Sequence, residues 1–387
     1  MRLSRAPLAL LVPAVLTSLF AAPAAAQSGP PSPPVGGDRL AGRGTVVGVP
    51  APPLPRTSAA GVLVADLESG EVLAAKDPHG RYAPASTLKA LTAVTLIPRL
   101  DPDEEVRPAL EDVNVDGSKV GVVTAMAYPV RELLTAMMVV SGNDAAGALA
   151  TAVGGTPRAA ELMNAEAVRL QAFDTRAVNP SGLDAKGQTS SAYDLALIAR
   201  AGMAMPAFRD YVAVQTSSIS APKEKRIEIY NHNRLLREYD GAIGIKNGYT
   251  TAARASFIGA ATRDGRTLVV TLLRADPLVW REAAALLDWG FAATAAGAAP
   301  VGQLVDPVPD AEPSAPQAAP PGEAVPAAPA DPVAAEVPAA DDGLPVGRAL
   351  GVVALLLAAL VARRRQVVLR RRRRRRQQVV GRRVSRV

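Results

Sequence analysis

The chain has 387 residues, 49% of them hydrophobic, with 34 Pro, 31 Gly and no Cys. The lack of Cys excludes a disulfide framework, a thiolate zinc site and a cysteine nucleophile, and two His are too few for a multi-histidine metal cluster. The net charge of +7 comes from one end, because residues 363–387 hold 13 Arg and no acidic residue. The rest of the chain is acidic overall, so its composition does not favour nucleic-acid binding.

The first 26 residues have the pattern of a secretory signal. Arg2 and Arg5 precede a largely apolar stretch, and Ala24–Ala26 offers the small residues that a signal peptidase recognises. An uncleaved membrane anchor is the alternative, which Pro13 and the shortness of the stretch disfavour. The pattern predicts that residues 1–26 are removed and that the mature protein lies outside the cytoplasm.

Two further segments have the composition of linkers. Residues 27–57 are rich in Pro and Gly without an apolar period, and residues 298–345 are rich in Pro, Ala and acidic residues. Such segments bury too little apolar surface to offset the conformational entropy that ordering costs. We predict two linkers, which leaves residues 58–297 as one folded domain.

Apolar periods and turn signals predict the elements of this domain. A first hairpin joins 61–68 to 71–76 around Ser69-Gly70,. Helical periods follow at 86–97, 131–140, 144–152, 157–171 and 192–203,. The last elements are a strand at 243–246, a hairpin of 256–262 and 266–273 around Asp264-Gly265, and a helix from Pro277 to Phe291,. Strands at both ends predict an α+β fold, with one antiparallel sheet flanked by helices and an all-helical subdomain between them.

The C-terminal region predicts a membrane anchor. Residues 346–362 are apolar except for Arg348 and reach the lower limit for a spanning helix,. The Arg-rich tail 363–387 follows directly, and basic residues beside an apolar span mark the cytoplasmic side. The sequence thus predicts a single-pass cell-membrane protein with its domain outside and its tail inside, against anionic lipid. Nucleic-acid binding by the Arg run is an alternative that this topology makes unnecessary.

The first of three short motifs is Ser86-Thr87-Leu88-Lys89, in which Ser86 and Lys89 share one helix face,. A serine hydroxyl becomes a nucleophile when a base takes its proton, and lysine is a base only when it is neutral. Burial and a second cation would both lower the Lys89 pKa, and Lys246 is the candidate for that cation. Arginine could not serve as this base. An ordinary helix start with serine as its cap is the structural alternative.

The other two motifs, Ser141-Gly142-Asn143 and Lys246-Asn247-Gly248, indicate proton transfer and binding. Ser141 can relay protons, and the Asn143 carboxamide can both donate to and accept from a substrate amide. Lys246 puts a cation beside a glycine, where a substrate backbone can come close. Each motif alone also fits a plain turn. His232 stands in a polar setting that matches no hydrolase nucleophile pattern, so a histidine-based triad is not favoured.

Taken together, the order and spacing of the three motifs resemble those of the serine penicillin-recognising enzymes. The flanking residues narrow the likeness to the low-molecular-mass D-alanyl-D-alanine carboxypeptidases. The segments that carry it are Leu133-Leu134, Ser141 to Ala146, Asn164, Asn179 to Asp184, Asn233 to Leu236, Asp240-Gly241 and Gly244 to Thr250. The resemblance covers about 58–291 and implies a β-lactamase/DD-peptidase-like fold.

The resemblance implies that Ser86 attacks the penultimate D-Ala carbonyl of a peptidoglycan stem peptide while Lys89 takes its proton. D-Ala leaves with a proton from Ser141 or Lys89, and water then releases the acyl-enzyme. The backbone N–H groups of Ser86 and Tyr249 would form the oxyanion hole. The implied substrate-binding residues are Asn143, Lys246, Asn247, Gly248, Tyr249 and Thr250. β-Lactams would acylate Ser86, and no metal or cofactor is implied.

The third motif departs from the family pattern, which is usually Lys-Thr-Gly or Lys-Ser-Gly. The missing hydroxyl normally helps to bind the substrate carboxylate, although the Asn247 amide can still donate and Thr250 lies nearby. Two other hypotheses stay open. A β-lactamase would need a carboxylate such as Glu161 or Glu166, neither of which has the expected context. A non-catalytic wall-binding protein would have lost turnover through Asn247.

Overall fold

The structure is a computed structural model and describes residues 35–309. Its strands are β1 (Thr45–Val47), β2 (Gly61–Asp66), β3 (Glu71–Lys76), β4 (Glu105–Val106), β5 (Tyr128–Pro129), β6 (Thr216–Ala221), β7 (Lys225–Tyr230), β8 (Ala242–Thr250), β9 (Arg254–Arg263), β10 (Arg266–Ala275) and β11 (Gly302–Gln303). Its helices are α1 (Lys89–Leu96), α2 (Leu110–Val113), α3 (Val130–Val139), α4 (Asn143–Ala152), α5 (Thr156–Arg169), α6 (Ala192–Ala204), α7 (Pro206–Ala213), α8 (Leu235–Glu238) and α9 (Val279–Ala295). Short 3-10 turns occupy Asp38–Leu40, Ala85–Leu88 and Ile97–Arg99.

One antiparallel sheet holds both ends of the domain together. Its order is β1-β3-β2-β10-β9-β8, with β11 also paired to β3. The predicted hairpins β2–β3 and β9–β10 are confirmed, and the second turns at Asp264-Gly265 with φ of 49° and 78°, as tight hairpin turns require. The early and late strands meet where Val64 of β2 lies opposite Val270 of β10. The predicted single sheet built from both ends is therefore confirmed.

Both faces of the sheet are apolar and covered. On β2, Leu63 and Ala65 join the core that contains α1, α3 and α6, whereas Val62 and Val64 join the core beneath α9. Successive side chains of a strand point to opposite faces, so a strand between two helical layers is apolar throughout. All six residues of β2 are accordingly buried.

Helix α1 runs through the centre of the helical layer and packs against α3, α4, α5 and α6. Every residue of α1 is buried, including Lys89 at its first position. A helix surrounded on all sides by protein cannot offer a polar face to water. The packing of α1 therefore takes the Lys89 amine out of solvent.

The folded part extends beyond the predicted boundaries, so the linkers predicted over 27–57 and 298–345 are corrected at their inner ends. Strand β1 pairs with β3 and Leu40 is buried, while β11 pairs with the same strand and Leu304 is buried. Strands of two or three residues carry no measurable period. They form here because β3 offers an unpaired edge to both segments.

Helix α7 and the hairpin β6–β7 were not predicted from the sequence. The strands of this hairpin pair only with each other among the described elements, and on β7 only Ile229 is buried. A largely exposed hairpin needs no alternating apolar pattern, so its sequence signal is weak. It packs against α3 and places residues 228–232 beside the end of that helix.

No helix within residues 35–309 has the length and apolarity needed to cross a bilayer. The predicted signal segment 1–26, spanning helix 346–362 and Arg-rich tail 363–387 all lie outside the described residues. Those three predictions therefore rest on the sequence patterns alone.

Candidate active site

The first motif forms a compact pair of side chains. Pro84 and the 3-10 turn over Ala85–Leu88 lead into α1, whose first residue is Lys89. Ser86 is partly exposed, Lys89 is fully buried, and the Lys89 Nζ lies 3.0 Å from the Ser86 Oγ. The contact expected from the i, i+3 spacing is thus present, between a partly exposed serine and a buried lysine.

The other neighbours of the Lys89 amine are acceptors. Its Nζ lies 2.7 Å from the Asn143 Oδ1 and 2.5 Å from the Ser181 carbonyl oxygen. A neutral amine has two N–H donors and one lone pair, so these two acceptors take both donors and turn the lone pair to Ser86. Burial and then the Lys246 charge hold the Lys89 pKa well below its usual range, while Asp144 opposes that shift,. The site therefore favours a neutral lysine that can accept a proton.

Ser141 lies in the turn between α3 and α4 in the left-handed region, at φ 60°. Its side chain is buried, and the Oγ has no hydrogen-bond partner within residues 35–309. A non-glycine residue in this conformation is uncommon and is often found at functional sites. The free hydroxyl at this turn is available to pass a proton, which is the role predicted for it.

Asn143 is more involved inside the protein than the sequence predicted. Its Oδ1 accepts from Lys89, its Nδ2 donates to the Asp116 carbonyl at 2.7 Å, and its backbone N–H donates to the Ser118 carbonyl at 2.8 Å. A carboxamide nitrogen carries two hydrogens, so one N–H stays available for a substrate. Asn143 therefore orients Lys89, and the donor that it would give to a substrate stays a prediction.

The third motif lies on β8, an edge strand that passes beside the nucleophile. Lys246 is fully buried, and its Nζ donates to the Asn247 carbonyl at 2.9 Å. Burial lowers the Lys246 pKa to about 7,. A Cβ at Gly248 would lie 2.6 Å from the Ser86 backbone nitrogen, so only glycine lets β8 come this close. Tyr249 leaves its side chain 61% exposed.

Thr250 does not stand free in the cleft. Its hydroxyl donates to the Asp184 Oδ1 at 2.9 Å and accepts the Ala253 N–H at 2.9 Å. The sequence offered Thr250 as a replacement for the hydroxyl missing at Asn247. In this structure the Thr250 hydroxyl instead ties β8 to the loop around Asp184, and any part it takes in substrate binding stays a prediction.

Comparison with known proteins decides the family. Residues 48–276 match the peptidase S11 family, described as D-alanyl-D-alanine carboxypeptidase. The chain belongs to this family.

Relatives and solved structures agree with that assignment. The D-alanyl-D-alanine carboxypeptidase DacB2 of Mycobacterium tuberculosis is 42% identical over 247 residues, which are 62% of this chain and 84% of the relative. A penicillin-binding protein homologue from Mycobacterium tuberculosis is 40% identical with a TM-score of 0.64, over 66% of this chain and 99% of that chain. A mutant Streptomyces K15 DD-transpeptidase is 28% identical with a TM-score of 0.58, over 62% and 99%. The predicted family and α+β fold are confirmed.

Two contributions to this carboxypeptidase-family site were not predicted from the sequence. The Ser181 carbonyl accepts from Lys89, and Gly182, at φ 80°, packs so closely that its Cβ would lie within 2 Å of the Ala85 oxygen. The Asn179 Oδ1 accepts the N–H groups of Ser181 and Gly182 at 3.2 and 2.9 Å. The Asn-Pro-Ser-Gly sequence indicates a turn, but it does not reveal which backbone carbonyl accepts from the Lys89 amine.

We expect Asp144→Ala to destabilise the loop that carries Ser118. The buried Asp144 carboxylate accepts the backbone N–H groups of 120, 121 and 122 at 2.9, 2.7 and 3.2 Å. Losing the acceptor leaves buried donors unpaired, so the free energy of unfolding should fall by about 2–4 kcal/mol. Asp101→Ala is the control, since Asp101 is exposed and accepts a single N–H. Equal losses in urea unfolding of both variants would contradict the prediction.

The two histidines lie in different surroundings. His79 places Nδ1 2.9 Å from the Asp174 carboxylate and Nε2 3.1 Å from the Val35 carbonyl. One ligand atom each of His79, Asp174 and Asp194 lie within 4.8 Å of one another, but both ring nitrogens already have partners, so we interpret the group as a hydrogen-bonded cluster. His232 lines a cavity with Asn247, and the described contacts give it no bond to Ser86.

Proposed function

We propose that this protein is a serine DD-carboxypeptidase that removes the terminal D-alanine from peptidoglycan stem pentapeptides through an acyl-enzyme on Ser86. The observation that carries the proposal is the Lys89 amine, buried and 3.0 Å from the Ser86 Oγ, with two acceptors on its remaining sides. Family membership supplies the substrate class. β-Lactams, which react with the same serine, are the expected covalent inhibitors.

In the acylation step, Lys89 takes the Ser86 hydroxyl proton as the Oγ attacks the penultimate D-Ala carbonyl carbon. The carbonyl oxygen becomes an oxyanion, which the backbone N–H groups of Ser86 and Tyr249 would stabilise. Collapse of this intermediate breaks the C–N bond to the terminal D-Ala. The leaving amine takes a proton from Lys89, directly or through Ser141, whose hydroxyl is unpaired within the described residues.

In the second step, water attacks the ester that links the peptide to Ser86. The neutral Lys89 accepts a proton from this water and returns it to the Ser86 oxygen as the ester bond breaks. The product is the stem tetrapeptide with a new terminal carboxylate, and the site regains its starting protonation. No step needs a metal or a cofactor.

Substrate binding in this proposal uses the third motif and Asn143. The terminal carboxylate of the peptide would lie near the Lys246 ammonium and the Asn247 carboxamide, both of which can donate to it. The remaining Asn143 N–H would donate to a peptide carbonyl. Gly248 lets β8 lie against the Ser86 backbone, so a peptide bound along β8 would lie beside the nucleophile, and Tyr249 and Thr250 border the same strand end.

The test is D-alanine release from a synthetic stem pentapeptide by the purified protein, with and without prior penicillin. We expect release that penicillin blocks, together with a mass increase equal to one penicillin. Rapid hydrolysis of penicillin would favour the β-lactamase hypothesis instead. Peptide binding without release would favour a wall-binding protein, with Asn247 as the reason for lost turnover.

The structure lends the β-lactamase alternative no support. Its two candidate carboxylates both lie on α5, where Glu166 pairs with Arg169 at 2.6 Å and Glu161 pairs with Arg158 at 3.0 Å. Each carboxylate thus makes an ion pair on α5, and the described contacts bring neither of them to Ser86. The carboxypeptidase is therefore the function that the site supports best.

The proposed substrate lies outside the cytoplasm, which agrees with the patterns at both ends of the chain. We propose that residues 1–26 direct export and that residues 346–362 anchor the protein in the cell membrane, with the tail 363–387 against cytoplasmic lipid headgroups,. Cell fractionation with and without residues 346–387 tests this. Loss of membrane association on truncation is the expected result.

A further inference from the structure

A cavity of about 620 Å³ opens beside the third motif. It lies beside the ends of α3 and β7 and against β8. Its lining includes Val140, Glu228, Tyr230, His232, Arg237 and Asn247. Val140 directly precedes Ser141, and Asn247 directly follows Lys246. The cavity therefore adjoins two of the three catalytic motifs on the side where the family has a hydroxyl and this chain has a carboxamide.

The backbone that carries His232 is fixed on this cavity. Its N–H donates to the Val139 carbonyl at 3.0 Å, in the last turn of α3. The preceding Asn231 is buried, with its Nδ2 donating to the Val214 carbonyl at 2.7 Å and its Oδ1 accepting the Asn233 N–H at 2.8 Å. The histidine itself is exposed. A rigid turn thus presents a solvent-accessible imidazole at the wall of the cavity.

The imidazole also lies within the electrostatic reach of Lys246. Burial of part of the ring, and then the Lys246 charge, lower the pKa of His232. A neutral imidazole therefore predominates near neutral pH, and it carries one N–H donor. A bound carboxylate next to it would favour the imidazolium, because an opposite charge at short range stabilises the charged form.

We propose that His232 is a specificity-determining residue that binds the terminal carboxylate of the stem peptide in this cavity beside Asn247, and that its protonation strengthens this binding as the pH falls. The proposal rests on the proposed carboxypeptidase function. Protonated His232 supplies a charged donor beside Asn247, the position where the family usually has a hydroxyl. It concerns substrate binding alone and gives His232 no part in proton transfer to or from Ser86.

The other charged groups around the cavity determine whether protonation of His232 strengthens or weakens binding of a carboxylate. Lys246 on β8 and Arg237 on α8 favour a carboxylate, and Arg237 also donates to the Asn231 carbonyl at 3.4 Å. On β7, Glu228 opposes a carboxylate, and it accepts the Tyr230 hydroxyl at 2.6 Å; the end of α3 contributes only the apolar Val140. Protonation of His232 therefore offsets the one anion of this wall.

The expected behaviour separates binding from chemistry. As the pH falls from 8 to about 5.5, KM should decrease for two reasons: Lys246, whose pKa burial lowers to about 7, regains its charge, and His232 gains a charge that contacts the substrate carboxylate. The turnover number kcat should decrease once the pH is low enough to protonate Lys89, because protonated Lys89 cannot act as the base. A charge-assisted hydrogen bond in place of a neutral one corresponds to about a tenfold change in KM.

The test measures KM and kcat against pH for D-alanine release from a synthetic stem pentapeptide. His232→Gln keeps a neutral donor, so its KM should be about tenfold above wild type at pH 5.5 and nearly equal at pH 8. His232→Arg keeps a permanent charge, so its KM should lie below that of wild type at pH 8, where Lys246 has lost its charge in both proteins. His79→Gln is the matched control, because His79 is the other histidine of the chain, and its KM profile should follow wild type.

A second ligand isolates the carboxylate. The same pentapeptide with a C-terminal carboxamide serves as a competitive inhibitor, and His232→Gln should leave its inhibition constant unchanged at every pH. A wild-type KM profile in His232→Gln, or an equal loss of affinity for the carboxamide, would overturn the proposal. Failure of the carboxypeptidase function would look different, since wild type itself would release no D-alanine and form no penicillin adduct.

Discussion

Ser86→Ala is expected to form no penicillin adduct and to release D-alanine at least about 10⁴-fold more slowly than wild type. The Ser86 Oγ is the partly exposed hydroxyl that lies 3.0 Å from a buried amine. Without that oxygen no acyl-enzyme can form, and the neighbouring donors can only bind the substrate. Intact mass after brief incubation with penicillin measures the adduct directly.

The matched control for this variant is Ser69→Ala, which removes an exposed hydroxyl in the turn between β2 and β3. It should form the adduct at the wild-type rate. An adduct retained by Ser86→Ala would show that another hydroxyl is the nucleophile, and Ser141 is the next candidate among the motifs. That result would contradict the role proposed for the first motif.

Lys89→Arg is expected to slow acylation by penicillin about 10³-fold or more, although arginine is also a long side chain with N–H donors. A guanidinium does not lose its proton in proteins, so it cannot take the Ser86 proton. All the nitrogens of a guanidinium are donors, so it presents no lone pair to the Ser86 hydroxyl. Lys119→Arg is the control, since Lys119 is exposed and donates only to the Val113 carbonyl, and it should acylate normally.

The pH profile gives this prediction a second readout. In wild type, acylation should rise as Lys89 loses its proton, at a pH well below that of free lysine. It should fall again when Lys246 loses its proton, near pH 7 in the free enzyme because burial lowers its pKa to about 7. Lys89→Arg should lose the rising limb. A variant that kept this limb would show that another group is the base.

Much of the fold followed from local patterns. The hairpins β2–β3 and β9–β10 have apolar strands on both sides of Ser69-Gly70 and Asp264-Gly265, and the long helices have clear apolar periods,. The elements that were missed are short or exposed. Strands β1 and β11 exist only because β3 provides an edge, and the hairpin β6–β7 is too polar to show a period.

The candidate site divides in the same way. The pairing of Ser86 with Lys89 was predictable because it is a contact within one helical turn. Three hydrogen bonds were not predictable: Lys89 to the Asn143 carboxamide, Lys89 to the Ser181 carbonyl, and Thr250 to Asp184. A carboxamide or hydroxyl has several possible partners. Every residue type has the same backbone carbonyl, so the sequence does not mark which carbonyl will accept.

The sequence by itself determined the chemical types, their order and the local geometry of this protein: a serine with a lysine one turn away, a serine and an amide in a helix-linking turn, and a lysine on a late strand. Only the tertiary structure decided that Lys89 is buried, that its donors are taken by Asn143 and Ser181, and that His232 faces the same cavity as Asn247. The reason is physical. Desolvation and charge proximity depend on the packing of segments that are far apart in the chain, and they set whether an amine is an ammonium ion or a base.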